Sequence, residues 1–369
     1  MLFQKQKKEE QIVLRVKGSP FEMGYQHGLT LKDKIHQNIE NHLRKPFLSE
    51  ESKKKTEQFL QELPTVLPHI PLKYIEEMEG VAKGADVSFR DILLLNLFPE
   101  MFHCCGITAT GKATKDGTLY HTRVLDYSAG TDLQSSAFLM VATPQNGHSF
   151  LNVTYAGFIG SVTGMNETKI SIGEIGGLGY GNWNGIPMSF LLRSILEEAS
   201  SLDEAKKILS SSKRTCEYYY VIADGKNNDA FGCYATSSQI QFFSSGKEYS
   251  ITPAKELNED LSFQVEPKEE NLTSSSLLFR QPLDTLLLTG FIAAERYPIL
   301  EKRILENYGH ITQNSLMEII KEPIARASNL HNAIFHPSSL RVWVSHAGAQ
   351  NEPACNEPYT CFNLSDLLT

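Results

Sequence analysis

Two adjacent cysteines and a downstream arginine–aspartate pair are the residues of this 369-residue chain best suited to nucleophilic chemistry. Cys104 and Cys105 open a strand-like run, and Arg123 and Asp126 lie near the end of the next one. The Asp-Gly turn signal at 116–117 separates the runs, so the sequence predicts a β-hairpin. A hairpin of this kind brings a thiol close to a cation and a carboxylate. Because the thiolate is the reactive form, such neighbours can activate a cysteine.

The spacing of the arginine and the aspartate limits how a regular strand presents them. Arg123 and Asp126 are three residues apart, whereas side chains on one face of a strand repeat every two residues. A bend or β-bulge near Leu125 is therefore required to aim both side chains inward. The alternative is an ion pair at a strand end beside a buried cysteine pair, with no catalytic role. On the residues alone, both interpretations stay open.

Zinc binding is a second chemistry that cysteines beside histidines suggest. His103, Cys104, Cys105 and His121 are all ligand types of tetrahedral zinc sites. However, adjacent strand residues point to opposite faces of a sheet, so the two cysteines do not easily share one ion. The sequence therefore predicts no metal and no cofactor. A cysteine–histidine dyad stays open, and its candidate bases are His27, His121 and His331.

The composition predicts an ordinary globular protein with a sizeable core. Of the 369 residues, 41% are hydrophobic and 21% are charged, and the net charge is -8. This acidic balance argues against nucleic-acid binding. No apolar run reaches the ~20 residues that span a bilayer, and residues 1–11 lack a secretory apolar stretch. We therefore expect a cytoplasmic protein, not bound to a membrane, with reduced cysteines. Cys355 and Cys361 are spaced for a disulfide or a metal half-site, but no second pair supports either.

The order of predicted elements shows what positions the hairpin. A strand over 12–17 precedes a mostly helical segment that ends near residue 100. Strands dominate residues 104–175, and the glycine-rich run 176–181 is predicted as a loop. Helices are predicted next over 187–199, 203–211, 291–306 and 313–321, and strands over 216–223, 230–234, 239–243, 332–336 and 340–346. Residues 255–280 are predicted as an irregular surface excursion. This order suggests two sheets packed face to face with helices outside.

Several ordered motifs resemble the acyl-coenzyme A:6-aminopenicillanic acid acyltransferase family, the autoproteolytic C45-type peptidases. The matching segments are residues 18–28 (GSPFEMGYQHG), 74–85 (YIEEMEGVAKGA), 113–117 with 123–126 (ATKDG and RVLD), 155–160 with 164–167 (YAGFIG and GMNE), 214–224 and 329–335. The resemblance spans nearly the whole chain, and several motifs in order are more specific than any one of them. It therefore favours the catalytic interpretation of the hairpin.

The resemblance implies an α+β fold, namely a four-layer αββα N-terminal-nucleophile hydrolase sandwich with a helical N-terminal segment. Such proteins are made as precursors, and the peptide bond before the nucleophile breaks autocatalytically. Here the cut would separate residues 1–103, a pro-segment or α-chain, from residues 104–369, the catalytic core or β-chain. The two parts together would form one structural domain. The freed α-amino group, with a reference pKa of ~7.8, would then act as the base.

The resemblance also implies roles for individual residues. Cys104 would be the nucleophile, Asp126 would position its α-amino group, and Arg123 would favour the thiolate. Attack on a linear amide C–N bond would give a thioester acyl-enzyme, whose acyl group passes to water or to an amine. Counting back from Gly111 in the family's motif selects Cys104. Cys105 then fills the following small-residue position and is the alternative nucleophile.

The oxyanion donor departs from the family's pattern. The strand before 224–225 often opens with an asparagine in this family, whereas Tyr218 and Tyr219 stand there in this chain. Tyr219 and Asn166 are the candidates for the oxyanion site or the pocket, with backbone N–H groups near the hairpin as further donors.

The function expected from these residues is that of an amidase or acyltransferase acting on a small-molecule amide or acyl substrate. Its own cleaved fragments would pair as a heterodimer. The alternatives are an unprocessed thiol hydrolase that uses a cysteine–histidine pair, and a non-catalytic scaffold of the same fold.

Overall fold

The computed structural model describes residues 11–45, 60–97, 103–127, 132–181, 183–251, 277–289 and 296–369. Its α-helices are α1 (Pro20–Thr30), α2 (Lys32–Ile39), α3 (Leu72–Ala85), α4 (Phe89–Leu97), α5 (Met188–Glu198), α6 (Leu202–Ser211), α7 (Arg296–Glu306), α8 (Gln313–Ile319) and α9 (Leu364–Leu368). Its strands are β1 (Val13–Gly18), β2 (His103–Ala109), β3 (Tyr120–Asp126), β4 (Ala137–Pro144), β5 (Phe150–Tyr155), β6 (Thr163–Asn166), β7 (Ile170–Gly181), β8 (Cys216–Asp224), β9 (Asp229–Ala235), β10 (Ile240–Phe243), β11 (Glu248–Ile251), β12 (Leu277–Arg280), β13 (Thr285–Thr289), β14 (Asn329–His336), β15 (Arg341–His346) and β16 (Thr360–Asn363).

Two β-sheets form the centre of the fold. One has eight strands in the order β1-β4-β5-β6-β7-β8-β9-β10, and the other has six in the order β13-β2-β3-β14-β15-β16. They pack face to face, with β2 against β7 and β8, β3 against β7, and β13 against β9. The sheets approach closely at Gly106, where a Cβ atom would lie 2.6 Å from Ile175 Cδ1 and 3.0 Å from Val221 Cγ2. The core of the molecule therefore lies between the sheets.

Helices cover the outer face of each sheet. On the eight-stranded sheet, α1 contacts β1 and β4, α5 contacts β6 and β7, and α6 contacts β8. On the six-stranded sheet, α7 contacts β13 and α8 contacts β14. The order helix, sheet, sheet, helix confirms the predicted α+β architecture with four αββα layers. Within the described ranges, none of the helices combines the length and the apolar character that crossing a membrane requires.

The N-terminal helices α1 and α3 pack with unusually close backbones. Gly24 and Gly28 of α1 lie against α3, and Gly80 and Gly84 of α3 lie against α1. A Cβ atom on Gly24 would lie 1.9 Å from the carbonyl oxygen of Glu77. A contact this short excludes any side chain. The close packing of the two helices offsets the cost of roughly 1 kcal/mol that each glycine brings to a helix interior.

The glycine-rich run predicted as a loop is instead part of a strand. β7 extends over Ile170–Gly181 and pairs with β8 on both sides of a register shift between Gly176 and Gly181. Glycines have weak β-propensity, but β8 is buried along its whole length and supplies hydrogen-bond partners. Pairing with β8 therefore outweighs the loop propensity of the glycines. The irregular part of the glycine run coincides with the interruption in the ladder.

Three further pairings have no counterpart in the sequence predictions. β13 and β16 form the two edges of the six-stranded sheet, and β11 pairs with β12 as a separate hairpin. These strands are only four or five residues long, which is too short for alternation to be seen. Residues 255–276 of the predicted excursion lie outside the described residues. Its last four residues, 277–280, form β12, so the prediction of an irregular segment is wrong there. Cys355 and Cys361 are free thiols, so the disulfide alternative is wrong.

Candidate active site

The predicted hairpin that carries the cysteines is formed by β2 and β3. Its turn contains Gly117, whose φ of +72° favours glycine. Asp116 Oδ1 accepts a hydrogen bond of 3.1 Å from the backbone N–H of Thr118. The two strands then pair without a register shift from Ala109 opposite Tyr120 to their outer ends. The start of β2 therefore lies beside the end of β3.

The outer end of this hairpin brings the predicted cleavage position next to the predicted carboxylate. Cys104 lies opposite Leu125, and His103 lies opposite Asp126. The peptide bond between residues 103 and 104 is thus a direct neighbour of Asp126 in the ladder. The side chain of Cys104 lies outside the described part of the structure.

Arg123 and Asp126 leave β3 on opposite faces. Arg123 is paired with Gly106, and a Cβ atom at Gly106 would contact Ile175 of the facing sheet. Arg123 therefore lies between the sheets. Asp126 instead contacts Arg296 of α7, in the outer helix layer. The two groups approach the hairpin's cysteine end from different sides.

The β-bulge required to aim both groups inward is absent from β3. The register shift lies in the neighbouring β14, between Asn329 and His331, opposite the end of β3. Because β3 keeps its regular pairing with β2, its side chains alternate as in any strand. Arg123 and Asp126 therefore lie on opposite faces of β3, as their spacing in a regular strand predicts.

A buried ion pair holds Arg123 between the sheets. Its Nη2 donates to Oε2 of Glu174 on β7 over 2.8 Å, and both side chains are fully buried. Arg123 also donates through Nη1 to the carbonyl oxygen of Val124. Glu174 is thus a charged residue of the site that the sequence predictions missed. It compensates the positive charge that Arg123 brings to the hairpin.

A second buried ion pair fixes Asp126. Its Oδ2 accepts from Nη2 of Arg296 over 2.8 Å, and its Oδ1 accepts from the backbone N–H of Arg326 over 3.1 Å. Arg296 also donates to the carbonyl oxygen of Ile324. Arg296 is 170 residues from Asp126 in sequence, so no local spacing rule would find it. The only sequence signal is its position in the helix predicted over 291–306.

Cys105 has the environment of a buried structural thiol. It is fully buried and lies opposite Thr289 of β13 and Val124 of β3. Burial raises the pKa of the Cys105 thiol to about 12, although the nearby positive charge of Arg296 opposes this shift. At neutral pH this group is therefore a protonated thiol and a poor nucleophile.

The two oxyanion candidates occupy different environments. Tyr219 is buried on β8, paired with Ile175 of β7, and burial raises the pKa of its hydroxyl well above the usual value. The hydroxyl therefore remains a donor at neutral pH. Asn166 donates both amide hydrogens, to the carbonyl oxygens of Leu196 and Ala199 at the end of α5. No hydrogen remains for an oxyanion, so the structure gives Asn166 a role in anchoring α5.

A match to a protein-family model shows which family the chain is related to. The model of "Acyl-coenzyme A:6-aminopenicillanic acid acyl-transferase" matches residues 113–277. The chain is related to this acyltransferase family. The resemblance predicted from the sequence is thereby confirmed. The matched region contains Arg123, Asp126 and Tyr219, and it begins after the two cysteines.

The sequence relatives of this chain match it over nearly its whole length or over about half of it. Protein dcd1B of Dictyostelium discoideum is 26% identical over 396 residues, which cover 97% of this chain and 75% of dcd1B. Acid ceramidase of Bos taurus is 27% identical over 206 residues, which cover 49% of this chain and 51% of the ceramidase. Among solved structures, the Caenorhabditis elegans ortholog of N-acylethanolamine-hydrolyzing acid amidase has a TM-score of 0.43 at 16% identity, covering 64% of this chain and 93% of the ortholog.

The histidines that the sequence offers as alternative bases are engaged elsewhere. His331 uses both ring nitrogens, with Nδ1 at 2.7 Å from the Tyr155 hydroxyl and Nε2 at 2.9 Å from the Thr163 hydroxyl. His121 contacts the Ser171 hydroxyl, and burial lowers its pKa to about 3. His27 of α1 accepts from the backbone N–H of Gly157. In the described ranges, no three His, Cys, Asp or Glu side chains are grouped as a metal site.

Proposed function

We propose that this chain is a cysteine-type N-terminal-nucleophile amidase or acyltransferase that breaks a linear amide C–N bond through a thioester acyl-enzyme. The observation that carries the proposal is the hairpin register, in which the 103–104 peptide bond neighbours Asp126. Asp126 is buried and is held by Arg296. An amino group released by cleavage of that bond would therefore appear beside an oriented carboxylate.

The proposed chemistry uses Cys104 twice. In processing, its thiol attacks the carbonyl carbon of residue 103, the C–N bond breaks, and water hydrolyses the resulting thioester. The freed α-amino group has a reference pKa of ~7.8, so near pH 7 its neutral fraction accepts the thiol proton. With substrate, a new S–C bond forms while the amide C–N bond breaks, and the amine leaves with that proton. Water or a second amine then takes the acyl group.

The electrostatics of the neighbouring cysteine supports Cys104 as the nucleophile. Cys105 is fully buried, and burial raises its thiol pKa to about 12, so it does not supply a thiolate at neutral pH. Cys105 instead belongs to the buried hydrophobic core. Arg123 keeps its proposed role of favouring the thiolate, although the Glu174 carboxylate compensates part of its positive charge.

Tyr219 is the proposed oxyanion donor. It replaces the asparagine of the family's pattern, and its hydroxyl stays protonated because burial raises its pKa. A single oxyanion donor contributes about 3–4 kcal/mol to transition-state stabilisation. Tyr219 lies on β8, which packs against β2 from the facing sheet, and this position supports the proposed role.

The proposed substrate class is a small-molecule linear amide. A sequence relative named as an acid ceramidase supports this class, because ceramides are N-acyl amides. We also propose that fragments 1–103 and 104–369 remain paired after cleavage. β1 of the first fragment is a strand of the same sheet as β4 of the second, and we propose that this ladder persists in a cytoplasmic heterodimer.

The test is the mass of the purified protein under denaturing conditions. The expected result is loss of the intact 41.3 kDa chain and the appearance of a fragment that begins at Cys104. Cys104→Ala should abolish both cleavage and turnover of an amide substrate, whereas Cys105→Ala, the matched control, should retain them. A wild-type chain that stays intact would refute the processed enzyme. Loss of cleavage in Cys105→Ala alone would assign the nucleophile to Cys105.

A further inference from the structure

A short loop after α8 holds the carboxylate of Asp126 on the outer side of the six-stranded sheet. Residues 320–326, here named the clamp loop, lead from α8 towards β14. The backbone N–H of Arg326, the last residue of the loop, donates to Oδ1 of Asp126 over 3.1 Å. The carbonyl oxygen of Ile324 accepts from Arg296, the arginine that also donates to Oδ2 of Asp126. The clamp loop therefore contacts both members of this ion pair.

Hydrogen bonds within the clamp loop make it compact. The N–H of Ala325 donates to the carbonyl oxygen of Ile320 over 2.9 Å, and the N–H of Ile324 donates to that of Lys321 over 3.1 Å. The side chains of Ile320, Ile324 and Ala325 are fully buried. The backbone groups that contact the ion pair therefore depend on how firmly the loop as a whole is held against the helix layer.

Arg303 of α7 holds the start of the clamp loop. Its Nη1 donates to the carbonyl oxygens of Ile319 over 2.8 Å and of Lys321 over 2.7 Å, and its Nη2 donates to that of Glu322 over 2.9 Å. The last carbonyl groups of a helix have no partner within the helix, and an arginine is a common donor to them. Arg303 therefore caps the C-terminal end of α8 and fastens the loop that follows it.

Both arginines that hold the clamp loop come from one face of α7. Arg296 and Arg303 are seven residues apart on this helix, and residues at that spacing share a face. Arg296 binds the carbonyl oxygen of Ile324 near the end of the loop, whereas Arg303 binds carbonyl oxygens at its start. A single helix thus sets the position of the loop at both ends.

The orientation of Asp126 matters for the proton that the proposed reaction moves. In that reaction the α-amino group of Cys104, positioned by Asp126, accepts the thiol proton and gives it to the leaving amine. An amine is a poor leaving group until a proton reaches it. A displacement of about 1 Å, caused by a change far from the reacting atoms, can cost about 100-fold in rate. The hydrogen bonds of Arg303 therefore bear on proton transfer through the clamp loop.

We propose that Arg303 is a positioning residue of this reaction, which holds the clamp loop so that Asp126 keeps the orientation that the α-amino group of Cys104 requires. This inference rests on the proposed function. Without Arg303, three carbonyl oxygens lose a charged donor, and the loop withdraws its N–H and its carbonyl from the pair of Asp126 and Arg296. The α-amino group then delivers its proton less efficiently. The loss falls on substrates whose leaving group needs that proton.

An amide and an activated ester of the same acyl group test this role. N-butyl lauramide releases an amine that needs a proton, whereas p-nitrophenyl laurate releases a phenolate that leaves without one. Both form the same lauroyl thioester, so kcat/KM compares the acylation steps, and their acetyl analogues form a second pair. In Arg303→Met the amide-to-ester ratio of kcat/KM should fall about ten- to hundredfold, while the chain is still processed. A smaller amount of folded enzyme would lower both rates and leave their ratio unchanged.

Two further variants on α7 complete the test. Lys302→Met removes a neighbouring charge whose ion pair with Glu306 is exposed, and it should keep the wild-type ratio. Arg303→Lys keeps the charge but not the planar fork of donors, so its ratio should lie between those of the wild type and of Arg303→Met. A wild-type ratio in Arg303→Met, or in Arg303→Lys if the methionine variant does not fold, would overturn the inference and leave the proposed function standing, as would an equal fall in Lys302→Met. A wild-type chain that is not processed, or that turns over none of the amides, would overturn the proposed function and the inference with it.

Discussion

A buried network of charges joins the residues before Cys104 to those after it. Arg193 of α5 donates through Nη2 to Glu77 of α3 over 3.0 Å and through Nε to Glu197 over 2.8 Å. Its guanidinium also lies over the ring of Phe150, 4.4 Å from the centroid. Lys73 completes the set, with its Nζ 2.6 Å from Glu197. Replacing Arg193 with methionine therefore removes the central cation of the network.

The expected loss of unfolding free energy follows from the two carboxylates that Arg193→Met leaves buried. The side chains of Glu77 and Glu197 are only 2% and 4% exposed, and breaking a buried pair by removing one partner costs about 3–5 kcal/mol. Lys73 continues to compensate Glu197, so the lower half of this range is expected. With an unfolding entropy of about 2.1 cal/mol/K per residue, a 369-residue chain losing that energy melts about 4–5 °C lower.

Thermal unfolding of the wild type and of Arg193→Met measures this loss. The double variant Glu77→Gln/Arg193→Met should regain part of the stability, because it buries one carboxylate fewer. Arg44→Met is the control, since its pair with Glu40 is exposed at the surface and exposed pairs contribute about 0–1 kcal/mol. A melting temperature of Arg193→Met within about 1 °C of the wild type, or a double variant no more stable than the single one, would refute the reasoning.

Three further predictions concern pH, helix packing and catalysis. Burial raises the folded-state pKa of Glu77 from 4.5 to about 7, so its stabilising contribution is complete below pH 4.5 and is lost as the pH rises towards 7. Glu77→Gln stays neutral at every pH. Between pH 4.5 and 7 the wild type should therefore lose about 1–3 kcal/mol of unfolding free energy relative to Glu77→Gln. A difference between the two proteins that stays constant with pH in urea titrations would contradict this. Gly24→Ala places a Cβ atom 1.9 Å from the carbonyl oxygen of Glu77 and should lower the unfolding free energy by about 1–3 kcal/mol; an unchanged urea midpoint would show that the helices can move apart freely. Tyr219→Phe should lower kcat about 100-fold or more without loss of folding by circular dichroism, and a kcat equal to that of Tyr220→Phe would remove Tyr219 from the oxyanion site.

Local sequence patterns predicted the hairpin but not the partners of its charged groups. The turn at 116–117 and the strand-like runs on either side indicate β2 and β3 directly. Glu174 and Arg296 reach Arg123 and Asp126 from other elements, 51 and 170 residues away in sequence. No rule of spacing connects residues so distant. The family resemblance supplied the order of the elements, but it did not show that Arg123 and Asp126 lie on opposite faces of β3.

The glycine run of β7 shows a different limit of sequence reasoning. Its composition favours a loop, and its strand conformation depends on pairing with β8. Propensity is a weak guide wherever a buried neighbour supplies all the hydrogen bonds. The interruption in the β7–β8 ladder makes the strand hard to recognise from the sequence. It also opens the ladder beside Glu217. Neither effect is visible without the register of the two strands.

The position of β1 has a consequence for how the sheet is protected from aggregation. β1 is the outermost strand of the eight-stranded sheet and runs parallel to β4, pairing with it from Val13 opposite Leu139 to Gly18 opposite Pro144. Without β1, the largely buried, apolar strand β4 becomes an edge with unpaired N–H and C=O groups, a template for intermolecular strand addition. β1 therefore covers the edge of β4 at which two copies of the chain would otherwise join.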